Sequence, residues 1–481
     1  MIIKETIKNK NTNTKIIKNI SPEDFKSTLS KILYNDFSLL KLWRFHDLFL
    51  KLKEEQYRDD PVIISGLSMI YMMIGDLNKV NELKSLLPKN SIYSQYVDIV
   101  DPLTSNEEFI ELINKQIELN ILPSSHLSLT AGRPSVLNGF RDMSSLFKDI
   151  KKNKKEVIKV LNVLYGTDSE LVYNLMLAEQ LYQKNECYEA LVLVISVIPK
   201  FEEKHDVRML FVALYLEIMI LVMNGQVKSI NNLMNNLILK TKTRNMEEWL
   251  PNIKALEAWA AMYDGDYIKI AEWMDSYAPD EYNDFNMMDT FRYFVKIRGY
   301  LINQKYLLIT SLANKLLPLL KEDNRKMDEC ELLMLLALSD YAREDYESAF
   351  NNIEKALNIS KLYNYDRLLA DEGEKICRLL LDYRKQKGKD KYLDKVISLS
   401  QQVLALYPNY LKDQLPKEPS LTVNEMGVLR LINDGRSNSE ISELLTISLN
   451  TVKYYTKSIF KKLNVKNRQQ ALKVAKDYGL L

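Results

Sequence analysis

Three lysines at every fourth position mark one face of a predicted helix near the C-terminus. In "ISLNTVKYYTKSIFKKL", residues 447–463, they are Lys453, Lys457 and Lys461. Residues four apart share a helix face, so these ammonium groups repel one another by roughly 0.3 kcal/mol per pair. No glutamate offsets them, because none follows Glu443. Duplex DNA offers the compensating charge, since phosphate neutralisation releases condensed counterions.

A lysine row alone is more often a solvated helix face, so the neighbouring elements must decide between the two interpretations. Thr422 and Glu425 have capping-box spacing and predict the start of a first helix. Gly435 predicts its end. The predicted inward stripe of this helix is Met426, Leu429 and Ile432.

The next two predicted helices form a helix-turn-helix pattern. A short second helix carries Ile441, Leu444 and Leu445, and Ser448 is placed to cap the third helix after a tight turn. The third helix has an apolar stripe at steps of three and four, which predicts its buried face: Val452, Tyr455, Ile459 and Leu463. The lysine row lies beside this stripe, with Tyr454 and Ser458 predicted at the outer surface.

Residues Leu421 to Leu481 carry the pattern "LT..E..VL.L...G.SN.EI...L.IS..TVK" followed by "I..KL.V.NR..A...A...GL". This pattern resembles the LuxR-type (GerE-type) DNA-binding domain, with two departures. Asn424 stands where the family has Arg, and Tyr455 stands where it has His. The resemblance implies that Lys453, Tyr454 and Lys457 face base edges in the major groove. It implies that Thr451 and Lys461 lie near phosphates.

The resemblance also bears on the rest of this region. The resemblance also suggests phosphate-backbone contacts from Asn438, Lys462 and Arg468. In the closing helix, "RQQALKVAKDYG", Ala471, Ala475 and Tyr478 recur at helical spacing. Two interpretations stay open: an exposed face that pairs two domains on a two-fold DNA site, or packing within one domain.

The sequence before this region is predicted to be helical and repetitive. The segments "QKNECYEAL", "MNGQVKSI", "YDGDYIKIA", "INQKYLLI" and "AREDYESAF" align at spacings of 40, 40, 39 and 40 residues. Their apolar anchors are Cys187, Val227, Tyr267, Tyr306 and Tyr346. The predicted packing residues, three positions later, are Ala190, Ile230, Ile270, Ile309 and Ala349. A related unit has Gly75, Leu77 and Val80 in the same register.

Each unit reads as a helix, a polar turn and a second helix, and the array resembles a TPR-like solenoid. Together with the LuxR-type region it resembles the C-terminal half of maltose-regulon-activator-like regulators. The nucleotide-binding switch of those regulators is not expected here. The Gly388-Lys389 pair lacks the earlier glycine of a phosphate-binding loop, because that position is Tyr383.

One stretch interrupts the helical pattern, "PSSHLSLTAGRPSVLNGFRDMS" from Pro123 to Ser144. Its glycines and prolines predict a loop. Arg133 and Arg141 could form an anion or partner site there. The alternative is a loop that only packs on the solenoid.

Length and composition indicate the number of domains and the cellular compartment. A chain of 481 residues with 46% apolar and 27% charged residues predicts a globular protein of two or more domains. The three cysteines lack paired spacing, which favours a reducing compartment and no disulfide or zinc site. With no run of signal-peptide or membrane-spanning length, we expect a cytoplasmic protein without a membrane partner. Net charge is +2, yet from Lys417 onward 11 basic residues face 6 acidic ones.

These observations predict an all-α protein: a TPR-like helical solenoid over 1–407, a proline-bearing linker over 408–420, and a four-helix LuxR-type helix-turn-helix domain over 421–481. No catalytic constellation is expected, because His46, His126 and His205 are isolated, and no metal or cofactor is implied.

The leading hypothesis for function is a sequence-specific transcriptional regulator, more often an activator in this architecture. It would bind double-stranded promoter DNA, as a homodimer if the closing helix pairs two copies, with a small-molecule or protein effector on the repeats. The alternative is a TPR-type protein-protein adaptor with weak or accessory DNA binding.

Overall fold

The computed structural model describes residues 22–34, 39–118, 133–139, 141–243, 247–281, 285–413, 421–463, 465, 467–477 and 480–481. Every regular element within these residues is helical, and an isolated bridge joins Asn138 to Asp142. The chain forms two compact units. The first comprises residues through Leu301 together with Lys305–Lys412, and the second groups Ile302–Gln304 with Asp413–Leu481. The all-α prediction is confirmed.

The first unit is built from helices, many of which pack against the next helix along the chain. Its early helices are α1 Pro22–Tyr34, α2 Leu39–Trp43, α3 His46–Phe49, α4 Pro61–Ile74, α5 Leu77–Leu86, α6 Ile92–Val100 and α7 Asn106–Glu118. Those that follow are α8 Lys154–Tyr165, α9 Ser169–Gln183, α10 Cys187–Glu203, α11 Val207–Met223, α12 Asn231–Thr243, α13 Leu250–Asp264 and α14 Tyr267–Ser276. The last are α15 Thr290–Ile302, α16 Tyr306–Glu322, α17 Lys326–Ala342, α18 Tyr346–Tyr363, α19 Asp366–Ala370, α20 Gly373–Lys387 and α21 Lys391–Leu406.

The turn inside each predicted helix pair repeats one backbone geometry. A residue with positive φ lies two positions before each second element: Gly75, Asn185, Gly225, Gly265, Gln304 and Glu344. The amide that follows donates to the carbonyl five residues earlier, as from Asp266 N to Ala261 O at 3.0 Å. This pairing satisfies carbonyls that the end of the first helix leaves free.

The second elements begin at the predicted anchors, as a 3₁₀ turn at Val227 and as α-helices at the other four. The predicted packing residues are all buried, from Ala190 to Ala349. The anchors vary in burial: Val227 is buried, whereas Tyr346 is 49% exposed. The first residue of a helix lies at its edge, whereas the residue three positions on faces the preceding helix.

The first unit extends beyond the predicted boundary at residue 407. Tyr410 and Leu411 are buried in it. The Tyr410 ring stacks on Tyr263 with centroids 4.1 Å apart, and its hydroxyl donates to Glu372 at 3.0 Å. The remaining part of the predicted linker, 414–420 with Pro416 and Pro419, lies outside the described residues.

The second unit consists of α22 Val423–Asn433, α23 Asn438–Leu444, α24 Leu449–Lys462 and α25 Arg468–Asp477. Its fully enclosed core is Val428, Leu429, Ile432, Ile441, Val452, Ile459, Leu463, Ala471 and Ala475. Every one of the four helices contributes to this core, so the four-helix prediction is confirmed. No helix in the described part of either unit has the length and apolar character needed to cross a membrane.

Candidate nucleic-acid interface

The turn between α23 and α24 fixes the angle at which the third helix leaves the second. The N-cap of α23 is Ser437, which forms a capping box with Glu440. At the other end Thr446 has φ +53, and Ile447 N donates to Ser442 O at 3.1 Å. The Ser442 hydroxyl donates back to Ile447 O at 2.6 Å. These bonds close the turn on both sides.

Only one of the three apolar residues predicted on α23 is enclosed. Ile441 is buried, whereas Leu444 is 58% exposed and Leu445 is 37% exposed. A seven-residue helix turns one narrow face to the core. The two leucines lie at its end, where the chain leaves that face.

The predicted N-cap of α24 is present. The Ser448 hydroxyl oxygen accepts from Thr451 N at 3.1 Å, and the two side-chain oxygens of these residues lie 2.7 Å apart. Thr451 is therefore held in the first turn of the helix, where free amides and the helix dipole favour an anion. This is the end of α24 from which a phosphate contact by Thr451 was predicted.

The buried face of α24 is the predicted one. Val452, Ile459 and Leu463 are enclosed and Tyr455 is half-buried. The Tyr455 hydroxyl accepts a hydrogen bond from Asn424 Nδ2 at 3.2 Å. The two departures from the LuxR pattern are therefore in contact, which links α22 to α24 at the surface of the domain.

Lys453, Lys457 and Lys461 form an exposed row on α24. Among the described residues, no carboxylate lies within 4.0 Å of their ammonium groups. Tyr454 is 69% exposed, and its ring meets that of Tyr455 edge-on with centroids 5.8 Å apart. The structure thus brings all of these predicted groups to one accessible surface, which we call the lysine face. Their assignment to bases or phosphates stays a prediction.

Ser458 and Lys462 differ from expectation because Glu425 engages both. Glu425 accepts from the Ser458 hydroxyl at 2.7 Å and from the Lys462 ammonium at 2.6 Å, and its other role is the capping box with Thr422. Ser458 is therefore half-buried against α22, not on the outer surface. Burial would raise the pKa of Glu425, but the hydrogen bonds from Lys462, Ser458 and Thr422 bring that pKa to about 2.

Arg468 and Asn438 are the other two residues predicted to contact the DNA backbone. Arg468 donates to the carbonyl of Ile432 at 3.4 Å and to that of Arg436. Its guanidinium thereby fastens α25 to the end of α22. Asn438 is half-buried at the start of α23, and a phosphate contact from it stays a prediction.

The closing helix packs within the domain. Ala471 and Ala475 are fully buried in the core, so the expectation of an exposed pairing face is wrong for them. Small side chains let α25 approach α22 and α24 closely, and that requirement produces the same spacing as an exposed stripe. Tyr478 lies outside the described residues.

In the first unit, Arg133 and Arg141 do not form an open anion site. Arg133 is ion-paired with Asp328 and Glu331, each at 2.6 Å. Arg141 donates to the carbonyls of Asp101 at 2.9 Å and Thr104 at 2.6 Å. Both side chains are buried, so this segment packs into the helical array. The part of the predicted loop from 123 to 132 lies outside the described residues.

The C-terminal region matches a known family. Residues 419–475 match the bacterial regulatory proteins of the luxR family. Similar curated proteins are the HTH-type transcriptional regulator AlkS of Alcanivorax borkumensis, 38% identical over 64 residues, and the transcriptional regulatory protein DesR of Bacillus subtilis, 38% identical over 72 residues. A third is the transcriptional regulatory protein LiaR of Bacillus subtilis, 40% identical over 85 residues.

The similarity is confined to a small part of each chain. The three alignments cover 13%, 15% and 18% of this protein. They span 7% of AlkS, 36% of DesR and 38% of LiaR. The second unit therefore carries a LuxR-type helix-turn-helix domain, while resemblance of the first unit to TPR arrays or maltose-regulon activators stays a prediction.

Proposed function

We propose that this LuxR-type domain makes the protein a sequence-specific DNA-binding transcriptional regulator, with α24 in the major groove. The observation that carries the proposal is the lysine face. Three ammonium groups lie in one row, and no described carboxylate neutralises them. A lysine row alone is more often a solvated face, but this row lies on the third helix of a LuxR-type domain, where duplex DNA would supply the compensating charge.

The roles within the lysine face follow from position along α24. Lys453 and Tyr454 occupy its first half and Lys457 lies one turn beyond Lys453, and the LuxR-type resemblance implies that all three meet base edges. Lysine can donate to guanine O6 and N7, and an exposed tyrosine offers both a hydroxyl and an apolar ring edge. Lys461 lies in the last turn and Thr451 in the first, so both suit phosphates that flank the reading positions.

The contacts of Glu425 support the assignment of the lysine row to an external partner. Lys462 and Ser458 hold α24 against α22 through Glu425. The lysines of the row are left for an external partner, and the helix that carries them is rigidly placed. A preorganised helix loses less entropy on binding than one that must order first.

We further propose that the first unit binds an effector and that the protein activates transcription, which is more common than repression in this architecture. The buried segment around Arg133 and Arg141 supports a rigid receiving unit with an internal core of charges. Pairing of two copies on a two-fold site and a cytoplasmic location are proposals of the same kind. We also propose that the chain is not an enzyme.

A gel-shift panel tests the proposal. Purified full-length protein is mixed with genomic fragments and with a random duplex at near-physiological ionic strength. We expect retardation of a subset of fragments at concentrations that leave the random duplex free, and a steep loss of binding as salt rises. Equal binding to all fragments, unchanged when Lys453 and Lys457 are replaced by alanine, would instead support the protein-protein adaptor.

A further inference from the structure

The interior of the first unit holds a cluster of buried ion pairs. Arg298 contacts Glu331 at 2.9 Å and also contacts Glu372, while Glu331 is shared with Arg133. Asp328 lies between Arg133, at 2.6 Å, and Arg325, at 2.5 Å. These pairs bring together helices far apart in sequence.

A further pair completes the cluster. Arg367 contacts Asp371 at 2.6 Å, and Asp371 also accepts from the Tyr182 hydroxyl at 2.6 Å. Four guanidinium groups are thus matched by four carboxylates: Asp328, Glu331, Asp371 and Glu372. Each guanidinium has an acidic partner within the protein, and Arg133 and Arg298 line the cavity described below together with Glu331, Asp371 and Glu372.

A fifth carboxylate in this region, Glu179 on α9, has no described cation in salt-bridge contact, although the charge of Arg133 lowers its pKa from a greater distance. It accepts from the Ser135 hydroxyl at 2.5 Å, from Val136 N at 2.7 Å and from Leu137 N at 3.3 Å. Within the described residues, no ammonium or guanidinium group forms a salt bridge with it. A carboxylate offers about four lone-pair positions, so about one remains after these three bonds.

Glu179 lines a cavity of about 70 Å³ inside the first unit. The same cavity is walled by the aromatic residues Tyr215, Trp259, Tyr263 and Phe291. The ring centroids of Tyr215 and Phe291 lie 5.6 Å apart, and those of Trp259 and Tyr263 lie 4.9 Å apart. Tyr215 and Trp259 join the two pairs at 6.1 Å, so the four rings form a continuous wall. A cavity volume of about 10–15 Å³ admits one water molecule, so this cavity admits a group of several heavy atoms.

The surroundings of Glu179 set the sign of the charge that would bind. Burial raises the pKa of Glu179 to about 7, against the hydrogen bonds from Ser135, Val136 and Leu137 and the nearby positive charge of Arg133. An unpaired buried carboxylate is unfavourable, and a cation beside it removes that cost. Aromatic faces also attract cations and not anions. The Glu179 carboxylate and the aromatic rings therefore both favour a cation.

We propose that this cavity binds a small organic cation, a primary alkylammonium group, with its charge beside Glu179 and its carbons against the aromatic wall. The inference rests on the proposed effector role of the first unit, but it does not depend on DNA binding. A neutral or anionic molecule of the same size would lack the partner that Glu179 needs.

Three probes of similar size test the charge requirement. Full-length protein is titrated with n-propylammonium, 1-propanol or propionate at constant ionic strength and about pH 8, above the pKa of Glu179. We expect n-propylammonium to bind at one site by calorimetry and to raise the thermal midpoint of the first unit. Equal stabilisation by propanol or propionate would overturn the proposal.

Paired variants test the assigned residues. Glu179→Gln keeps the size of the side chain and should weaken n-propylammonium about tenfold or more. Glu217→Gln is the matched control, because Glu217 is a half-buried carboxylate on α11 that does not line the cavity. Tyr215→Phe should bind as the unmodified protein does, whereas Tyr215→Leu should bind about two- to fivefold more weakly.

The outcomes separate this proposal from the proposed function. A folded Glu179→Gln protein with unchanged affinity refutes the charge assignment. If that variant does not fold, the comparison of the three probes on the unmodified protein still decides. No DNA is present in these titrations, so their failure leaves the gel-shift result untouched, and a negative gel shift leaves cation binding intact.

Discussion

Replacing Lys461 by alanine removes one exposed positive charge from the lysine face. Lys461 lies in the last turn of α24, and no described carboxylate lies within 4.0 Å of it. The substitution therefore breaks no ion pair among the described residues. It costs the domain only the interaction of a cation with the helix C-terminus, a few tenths of a kcal/mol.

The expected loss in DNA affinity can be worked from counterion release. Each phosphate that a protein neutralises adds about 0.9 to the slope of log affinity against log salt concentration. Loss of one contact should flatten that slope by about 0.9. At roughly 0.1 M salt the same term corresponds to about an eightfold weaker complex, and the difference should shrink towards 1 M.

Fluorescence anisotropy at five or so salt concentrations measures this effect on a selected fragment and on a random duplex. Because a phosphate contact carries no sequence information, both duplexes should lose affinity by the same factor. Lys389→Ala is the control, since it removes an equal charge from an exposed position in the first unit. An unchanged slope for Lys461→Ala, or the same change for Lys389→Ala, would refute the phosphate assignment.

Three more predictions concern separate parts of the molecule. Tyr454→Ala should change which duplexes are enriched in a selection from random sequence while leaving random-duplex affinity within about twofold, and an unchanged enriched set would contradict base reading by this side chain. Burial opposes ionisation of Glu425, but hydrogen bonds from Lys462, Ser458 and Thr422 lower its pKa from 4.5 to about 2. The Glu425 carboxylate therefore stabilises the second unit above about pH 4.5, and this stabilisation is lost as the pH falls towards 2. Glu425→Gln should therefore lower the free energy of unfolding near pH 7 by up to roughly 3 kcal/mol, measured by thermal unfolding. A difference of the same size at pH 2 would show that the charge of Glu425 is not its cause. Arg133→Gln should destabilise the first unit by about 3 kcal/mol in urea unfolding, because Asp328 and Glu331 lose a buried partner, and a loss below about 1 kcal/mol would show that the pair is not important for stability.

The local features of the second unit could be predicted from sequence because each depends on residues a few positions apart. The capping pair Thr422 and Glu425, the left-handed Gly435 and the Ser448 cap are all present where they were predicted. The same holds for the repeat turns of the first unit. Such signals are set by backbone geometry and do not require knowledge of the tertiary structure.

Features that depend on packing between distant helices could not be predicted in this way. Glu425 was expected only to cap α22, yet it also holds Ser458 and Lys462 on α24. The arginine at 133 meets acids nearly two hundred positions later, so sequence alone could not separate an anion site from an internal pair. Ala471 likewise fits an exposed or a buried stripe until the neighbouring helices are placed.

Chemical protection of guanine N7 tests the central claim most directly, since this atom is reached only from the major groove. Protein bound to a selected fragment is treated with dimethyl sulfate, in parallel with its Lys453→Ala variant. The proposed recognition by α24 predicts protected guanines within the bound site and loss of specific protections in the variant. A bound fragment with every guanine N7 fully reactive, or a variant with the unmodified pattern, would contradict placement of the lysine face in the major groove.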